Sequence, residues 1–382
     1  MNYLQYIYSV YQPGQKNSDI RYLISGVDHR VREVLGQQIV DSLYRAGRIL
    51  FLLDSTQNNR NFKDFGCFPV LNLLNGDVDL CSDLLEVSSL REISRLRSLL
   101  MELGFDGTKA MKVVRYLSFV KETERRLGSE RPLCIETLKE YSGTSLVNWK
   151  LNQLVESGKL SYDSYEYLLT RYAEISAAAA DFEMFLVMLA PFLGGSCQPY
   201  PGTAVHLPVG EFSEDPAMQA ILCKLMLAFI RKQPTDCAVL ILDDGKCDRA
   251  CILDVLKNLP AAVEIHMFTT DAFSLGEKDL GVLMNLFPVR IYSRHDSMES
   301  CAKIENCCGH IDVVKRSYTT TIDKHIRAST AFDLLLGTNR SEAETRNVPV
   351  REARYRKETI NSLCTGTAII DCGGTQVLFQ FG

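Results

Sequence analysis

Apolar positions along the chain change their period several times. Tyr22-Leu23-Ile24 is a short unbroken apolar run that stops at Ser25-Gly26, the form of a buried strand. Val31, Val34, Leu35, Ile39 and Leu43 then recur at helical spacing, and Gly47 supplies a stop. The run from Arg48 to Leu53 predicts a second buried strand, closed by Asp54. Strand, turn, helix and strand in this order make the building unit of a parallel α/β sheet.

From about Phe68 to Leu193 the spacing becomes heptad-like, with Leu90, Ile93, Leu96 and Leu100, and later Leu146, Trp149 and Leu154. This predicts a helical segment. Its Tyr162, Tyr165, Tyr167 and Tyr172 read as helix-packing residues ahead of a binding surface. Gly194 to Gly202, rich in glycine and proline, is the clearest linker. Beyond it the α/β rhythm returns. Strands are predicted at Ala204 to Pro208, Ala238 to Leu242, Val263 to Phe268 and Pro288 to Ser293, with helices between them and a closing hairpin of Thr367 to Asp371 and Gln376 to Phe381. The expected division is one α/β domain of residues 1–67 and 196–382, interrupted by an all-α insertion domain of residues 68–195.

Composition narrows the class. The 382 residues carry a formal charge of -5, which argues against a chain coated in basic residues for gripping nucleic acid. The 13 cysteines form no C-x-x-C pair, and no apolar run follows a basic start, so reduced cytosolic thiols are expected. Cys301, Cys307, Cys308 and His310 lack ordinary zinc spacing, and no metal site is expected there. Phe182 to Leu193 is the most apolar stretch; it contains Glu183 and is well short of the roughly 20 residues that cross a bilayer. The expectation is a cytoplasmic protein with no span of its own, reaching a membrane only through partners. Arg340 to Lys357 mixes arginines with glutamates and reads as a solvated linker and helix start.

Candidate chemistry begins at Asp243-Asp244, because a carboxylate at the C-terminal tip of a parallel strand faces the ligand crevice. In a P-loop enzyme the first such acid positions magnesium, and the next, usually Glu, orients the attacking water. The order of elements then resembles the type IV coupling proteins of conjugation and secretion, within the HerA/FtsK superfamily. The resemblance rests on strand, loop and helix at Arg21 to Asp54, the helical insertion, the acid-tipped strand Ala238 to Asp244, the strand Ile265 to Asp271 and the closing segment Ile360 to Ile370. It implies a RecA-like P-loop NTPase fold with a mainly parallel sheet. It also implies that Val263 to Phe268 lies between Tyr22 to Ile24 and Ala238 to Leu242, with Gly26, Asp243 and Asp271 at one edge.

The loop departs from the family pattern. Against G-x-x-x-x-G-K-[ST], Gly26 keeps the first glycine, but Val31, Arg32 and Glu33 replace the second glycine, the lysine and the hydroxyl residue. A β-branched Val resists the backbone angles that turn amides inward, and an Arg fork does not replace a compact ammonium. Glu33 and Asp28 add negative charge, at a cost on the order of 4 kcal/mol per like charge at ~4 Å and an effective dielectric near ~20. Asp271, where the family usually has Gln, adds another acid. The expected consequence is a vestigial site, with Glu33 or Asp28 occupying the helix start internally. A direct metal contact from Glu33, and a dinucleotide site built on Gly26 and Asp54, are the weaker alternatives. No cofactor is expected on this basis; ATP and Mg enter only under the rival reading.

That leaves two functional expectations. One is a catalytically inactive scaffold or accessory subunit of a conjugative DNA-transfer or type IV secretion system, whose insertion recruits a protein partner. The other is an active DNA-dependent ATPase motor with a non-standard loop. DNA and further copies of the same chain are secondary partner candidates.

Overall fold

The computed structural model describes residues 21–55, 68–80, 89–128, 135–176, 197–244, 248–274, 277–320, 343–372 and 374–381. Phe182 to Leu193, Gly194 to Ser196 and Arg340, which figure in the expectations above, lie outside these residues. The chain divides into two compact units, residues 1–293 with 365–382, and residues 294–364.

In the first unit the elements run β1 (Arg21–Ser25), α1 (His29–Arg45), β2 (Ile49–Asp54) and β3 (Val70–Asn72). The helices α2 (Leu90–Glu102), α3 (Gly107–Arg126), α4 (Ile135–Lys139), α5 (Thr144–Glu156) and α6 (Tyr162–Ser176) follow. Then come β4 (Ala204–Leu207), α7 (Pro216–Ile230), β5 (Cys237–Asp243), α8 (Arg249–Asn258), β6 (Glu264–Thr269), α9 (Glu277–Leu286) and β7 (Val289–Tyr292). Helix starts follow capping chemistry: Asp28, Ser89, Asp106, Asp215 and Asp248 each accept a first-turn amide.

The second unit holds α10 (Met298–Cys308), β8 (His310–Thr320), β9 (Ala343–Ala353) and α11 (Lys357–Asn361). The chain then returns to the first unit with β10 (Thr367–Cys372) and β11 (Thr375–Gln380).

The described strands of the first unit form one sheet in the order β11-β10-β7-β1-β6-β5-β2-β4-β3. It is parallel from β7 to β3, and β10 and β11 are added antiparallel at one end. β6 lies between β1 and β5, as the resemblance implies. On one face Val31, Leu35, Ile39, Val40 and Leu43 of α1 join Tyr22, Ile24, Leu50, Leu52, Leu240 and Phe268 in a common core. This is a mainly parallel sheet with a run of α-helices between β3 and β4, the architecture expected of a RecA-like P-loop NTPase fold with an all-α insertion.

Three expectations need correction. β3 belongs to the sheet although it falls within the 68–195 span read as helical, so the described helices begin only at Leu90. A three-residue edge strand is too short to leave a period of its own. Arg340 to Lys357 contains no linker at its centre: Ala343–Ala353 is β9, paired antiparallel along its length with β8. Of the tyrosines, Tyr172 is buried and its hydroxyl donates to the Tyr141 carbonyl at 2.9 Å, and the Tyr165 hydroxyl donates to Asn148 of α5, but Tyr162 and Tyr167 are exposed, Tyr162 meeting only the Tyr165 ring of its own helix, with centroids 5.7 Å apart.

Within the helical segment a buried polar network ties α3 to α5. Glu124 accepts from the Tyr141 hydroxyl at 2.6 Å and from Lys150 Nζ at 2.9 Å, and Lys150 also pairs with Glu140 at 2.6 Å. Among the described residues no helix is long and apolar enough to cross a membrane.

Candidate functional site at the C-terminal edge of the sheet

β1, β6 and β5 end level with one another: Ser25 and Asp243 both register with Thr269. Gly26 leaves β1 with φ 134, a backbone region that favours glycine, and its amide donates to the Thr269 carbonyl at 3.1 Å. Gly26, Asp243 and Asp271 therefore share one edge of the sheet, as the resemblance implies.

The connection from Gly26 to α1 is short. Only Val27 and Asp28 separate Gly26 from the first helical residue, His29, so Val31, Arg32 and Glu33 lie inside the helix instead of opening it. Val31 is a core residue, fully buried against the sheet, which accounts for a β-branched side chain where the family pattern has glycine. Asp28 caps the helix. Its Oδ1 accepts the Val31 amide at 3.1 Å, and its Oδ2 accepts the Gly366 amide at 2.9 Å. The positive end of α1 is thus occupied by the protein's own carboxylate, which also fastens the segment leading into β10. Gly366 has φ +79, and a Cβ there would meet the Phe381 carbonyl oxygen at 3.0 Å.

Glu33 takes no part in this edge; it is exposed and lies 3.5 Å from His29 Nδ1. Arg32 does. Burial pulls its guanidinium below the ordinary value, and the neighbouring carboxylates of Asp244 and Asp243 pull the other way. Asp243 is buried, and its Oδ2 accepts from the Thr269 hydroxyl at 3.4 Å. Asp244 Oδ1 accepts from the Ser55 hydroxyl at 3.2 Å, and its own amide donates to Ser55 Oγ at 3.1 Å. Asp271 turns its Oδ1 to the Phe273 amide at 2.9 Å, and Ser25 Oγ accepts the Ala272 amide at 3.1 Å.

Sequence inspection missed Ser55, Gly366 and a buried pair, His206 Nε2 to Asp54 Oδ2 at 3.3 Å, at the ends of β4 and β2. Asp54 was visible as a strand-closing acid. Nothing in the sequence couples it to His206, because the partner comes from a strand about 150 residues away. Cys301 and Cys308 are buried, Cys307 is half-buried, and no group of three or more potential metal ligands occurs among the described residues.

The edge fits a magnesium-bound phosphate in part. Two adjacent carboxylates, and a guanidinium within electrostatic reach of them, are side chains of the kinds that bind metal and phosphate. The amide cradle does not fit as it stands, since Asp28 already takes the Val31 amide.

The chain is similar to the bacterial conjugative coupling protein TrwBdeltaN70 in its unbound monoclinic form, at 12% identity over 99% of this chain and 91% of that one, with a TM-score of 0.49. It is similar to VirB4 of Thermoanaerobacter pseudethanolicus at 10% identity over 98% and 92%, TM-score 0.46. A third similar structure is plasmid coupling protein TrwB in complex with ADP and Mg2+, at 13% identity over 99% and 90%, TM-score 0.46. No family model and no curated protein sequence matches the chain. The expectation that no cofactor is used is corrected by the third of these structures, in which a protein of this fold holds ADP with magnesium.

Proposed function

We propose that this protein is a nucleotide-binding subunit of a conjugative DNA-transfer or type IV secretion machine, an ATPase of coupling-protein type with a non-standard phosphate loop. The observation that carries the proposal is Arg32: one helical turn into α1, it is half-buried and feels the charges of Asp243 and Asp244 at the tip of β5. A cation in the first turn of the first helix and an acid at the end of a strand of the same sheet are the side-chain requirements of a phosphate and its metal. Asp243, buried and hydrogen-bonded by Thr269, is the acid placed to hold magnesium. Asp244, oriented by Ser55, stands next to it. Bound magnesium would neutralise phosphate charge at this edge. Arg32 would contact the phosphate through its side chain, in place of the amide cradle.

The occupancy of the helix start by Asp28 supports a second reading, a subunit that binds nucleotide without hydrolysing it and serves as a scaffold. Titration calorimetry with Mg·ATP tests the binding that both readings share. A saturable signal lost in Asp243→Ala and weakened in Arg32→Ala is expected; no signal in the wild type overturns the proposal. Phosphate release with and without DNA then separates motor from scaffold.

A further inference from the structure

Away from the sheet edge, positive charge converges on one cavity. On α2, Arg91, Ser94, Arg95 and Ser98 follow i, i+3, i+4, i+7 spacing and share one face, while Leu96, Leu99 and Leu100 are buried on the other side. α2 packs against α7, whose C-terminal end brings Arg231 and Lys232 to the same place. These six side chains line a cavity of about 400 Å³. Four are cationic, two carry hydroxyls, and none of the described lining residues is a carboxylate. Glu102 reaches Arg231 at 3.4 Å from outside the lining. In a chain of formal charge -5, such a concentration is not a sample of the average surface.

Helix stability accounts for only half of it. Arg231 and Lys232 sit at the C-terminal end of α7, where the helix dipole favours cations. Arg91 lies in the first turn of α2, where the dipole disfavours them. Something other than local helix electrostatics places Arg91 and Arg95 facing Arg231 and Lys232.

We propose that this cavity binds a compact phosphate-type polyanion, a diphosphate or polyphosphate group. Guanidinium forks pair with phosphate oxygens through two parallel N–H···O bonds, and serine hydroxyls complete the donor set. The site is separate from the one at the sheet edge. An extended strand would need to continue into the neighbouring basic hollow of Arg97, Lys112 and Arg115, which lies on another side of α2 and also contains Asp106. Convergence of four cations on a single cavity favours the compact anion.

The test is titration calorimetry of the full chain with sodium pyrophosphate in the absence of magnesium, against sodium chloride of equal ionic strength. Saturable binding is expected in the wild type. Its Kd should rise roughly tenfold or more in Arg91→Gln/Arg95→Gln and stay within about twofold in Lys257→Ala, an exposed cation of α8 that is not part of the lining. Arg91→Gln alone alters an exposed side chain, so it reports on binding even if the double variant is poorly folded. A parallel titration with a single-stranded oligodeoxynucleotide tests the other occupant. The proposal is overturned if pyrophosphate fails to bind, if binding is indifferent to Arg91 and Arg95, or if only the oligonucleotide binds.

Discussion

Replacing Asp28 by alanine removes two hydrogen bonds at once from a buried position. The cap to the Val31 amide is worth about 1 kcal/mol. The Gly366 amide, buried where it meets the carboxylate, would lose that acceptor at a further cost of about 1–3 kcal/mol. Asp28→Ala should therefore lower unfolding free energy by roughly 3 kcal/mol, while Asp28→Asn, which keeps one acceptor oxygen, should fall between the two. Urea denaturation measures this, provided the dependence on urea is the same in all three proteins. The same substitutions withdraw a negative charge from the start of α1. Mg·ATP affinity should then rise, and a nucleotide-dependent shift in melting temperature reads that separately from stability. An Asp28→Ala protein within about 0.5 kcal/mol of wild type would refute the account of the carboxylate as an internal occupant of the helix start.

Other expected outcomes bear on the same framework. Gly210→Ala should destabilise by about 1–3 kcal/mol, because the added Cβ would run into the Ser55 backbone; a neutral effect in thermal unfolding would contradict that packing. Lys150→Ala strips the cation from buried Glu124 and should cost about 3–5 kcal/mol by chemical denaturation. Burial pushes the Cys237 and Cys372 thiols up to about 12, so both stay protonated at neutral pH and resist iodoacetamide in the native state, whereas exposed Cys364 should react. Mass spectrometry of the labelled protein decides it.

The sheet was legible because its strands are near-continuous apolar runs ending in Gly or Asp, and a parallel sheet buried on both faces leaves that signature. Position in the sheet was a different matter. Placing β6 between β1 and β5 depended on resemblance, since apolar runs carry no record of their neighbours. β9 escaped notice because Ala343–Ala353 alternates charged and polar residues around Val348 and Val350, and only its partner β8 makes it a strand. At the site, the capping role of Asp28 could be anticipated from helix chemistry. Its second bond could not, because Gly366 is 338 residues further on. The early start of α1 was hidden by aligning the loop to a motif longer than the turn this chain makes.

The strand order also has a temporal side. β1 is flanked by β6 and β7, both encoded far downstream, so during synthesis the first strand of the sheet emerges well before either neighbour exists. Its apolar residues must wait, exposed or shielded by α1 alone, until the second half of the chain arrives. Shortened chains that stop before β6 should accordingly aggregate or be held by chaperones, and refolding of the whole protein should be limited by the docking of β1 into a gap whose two walls form late.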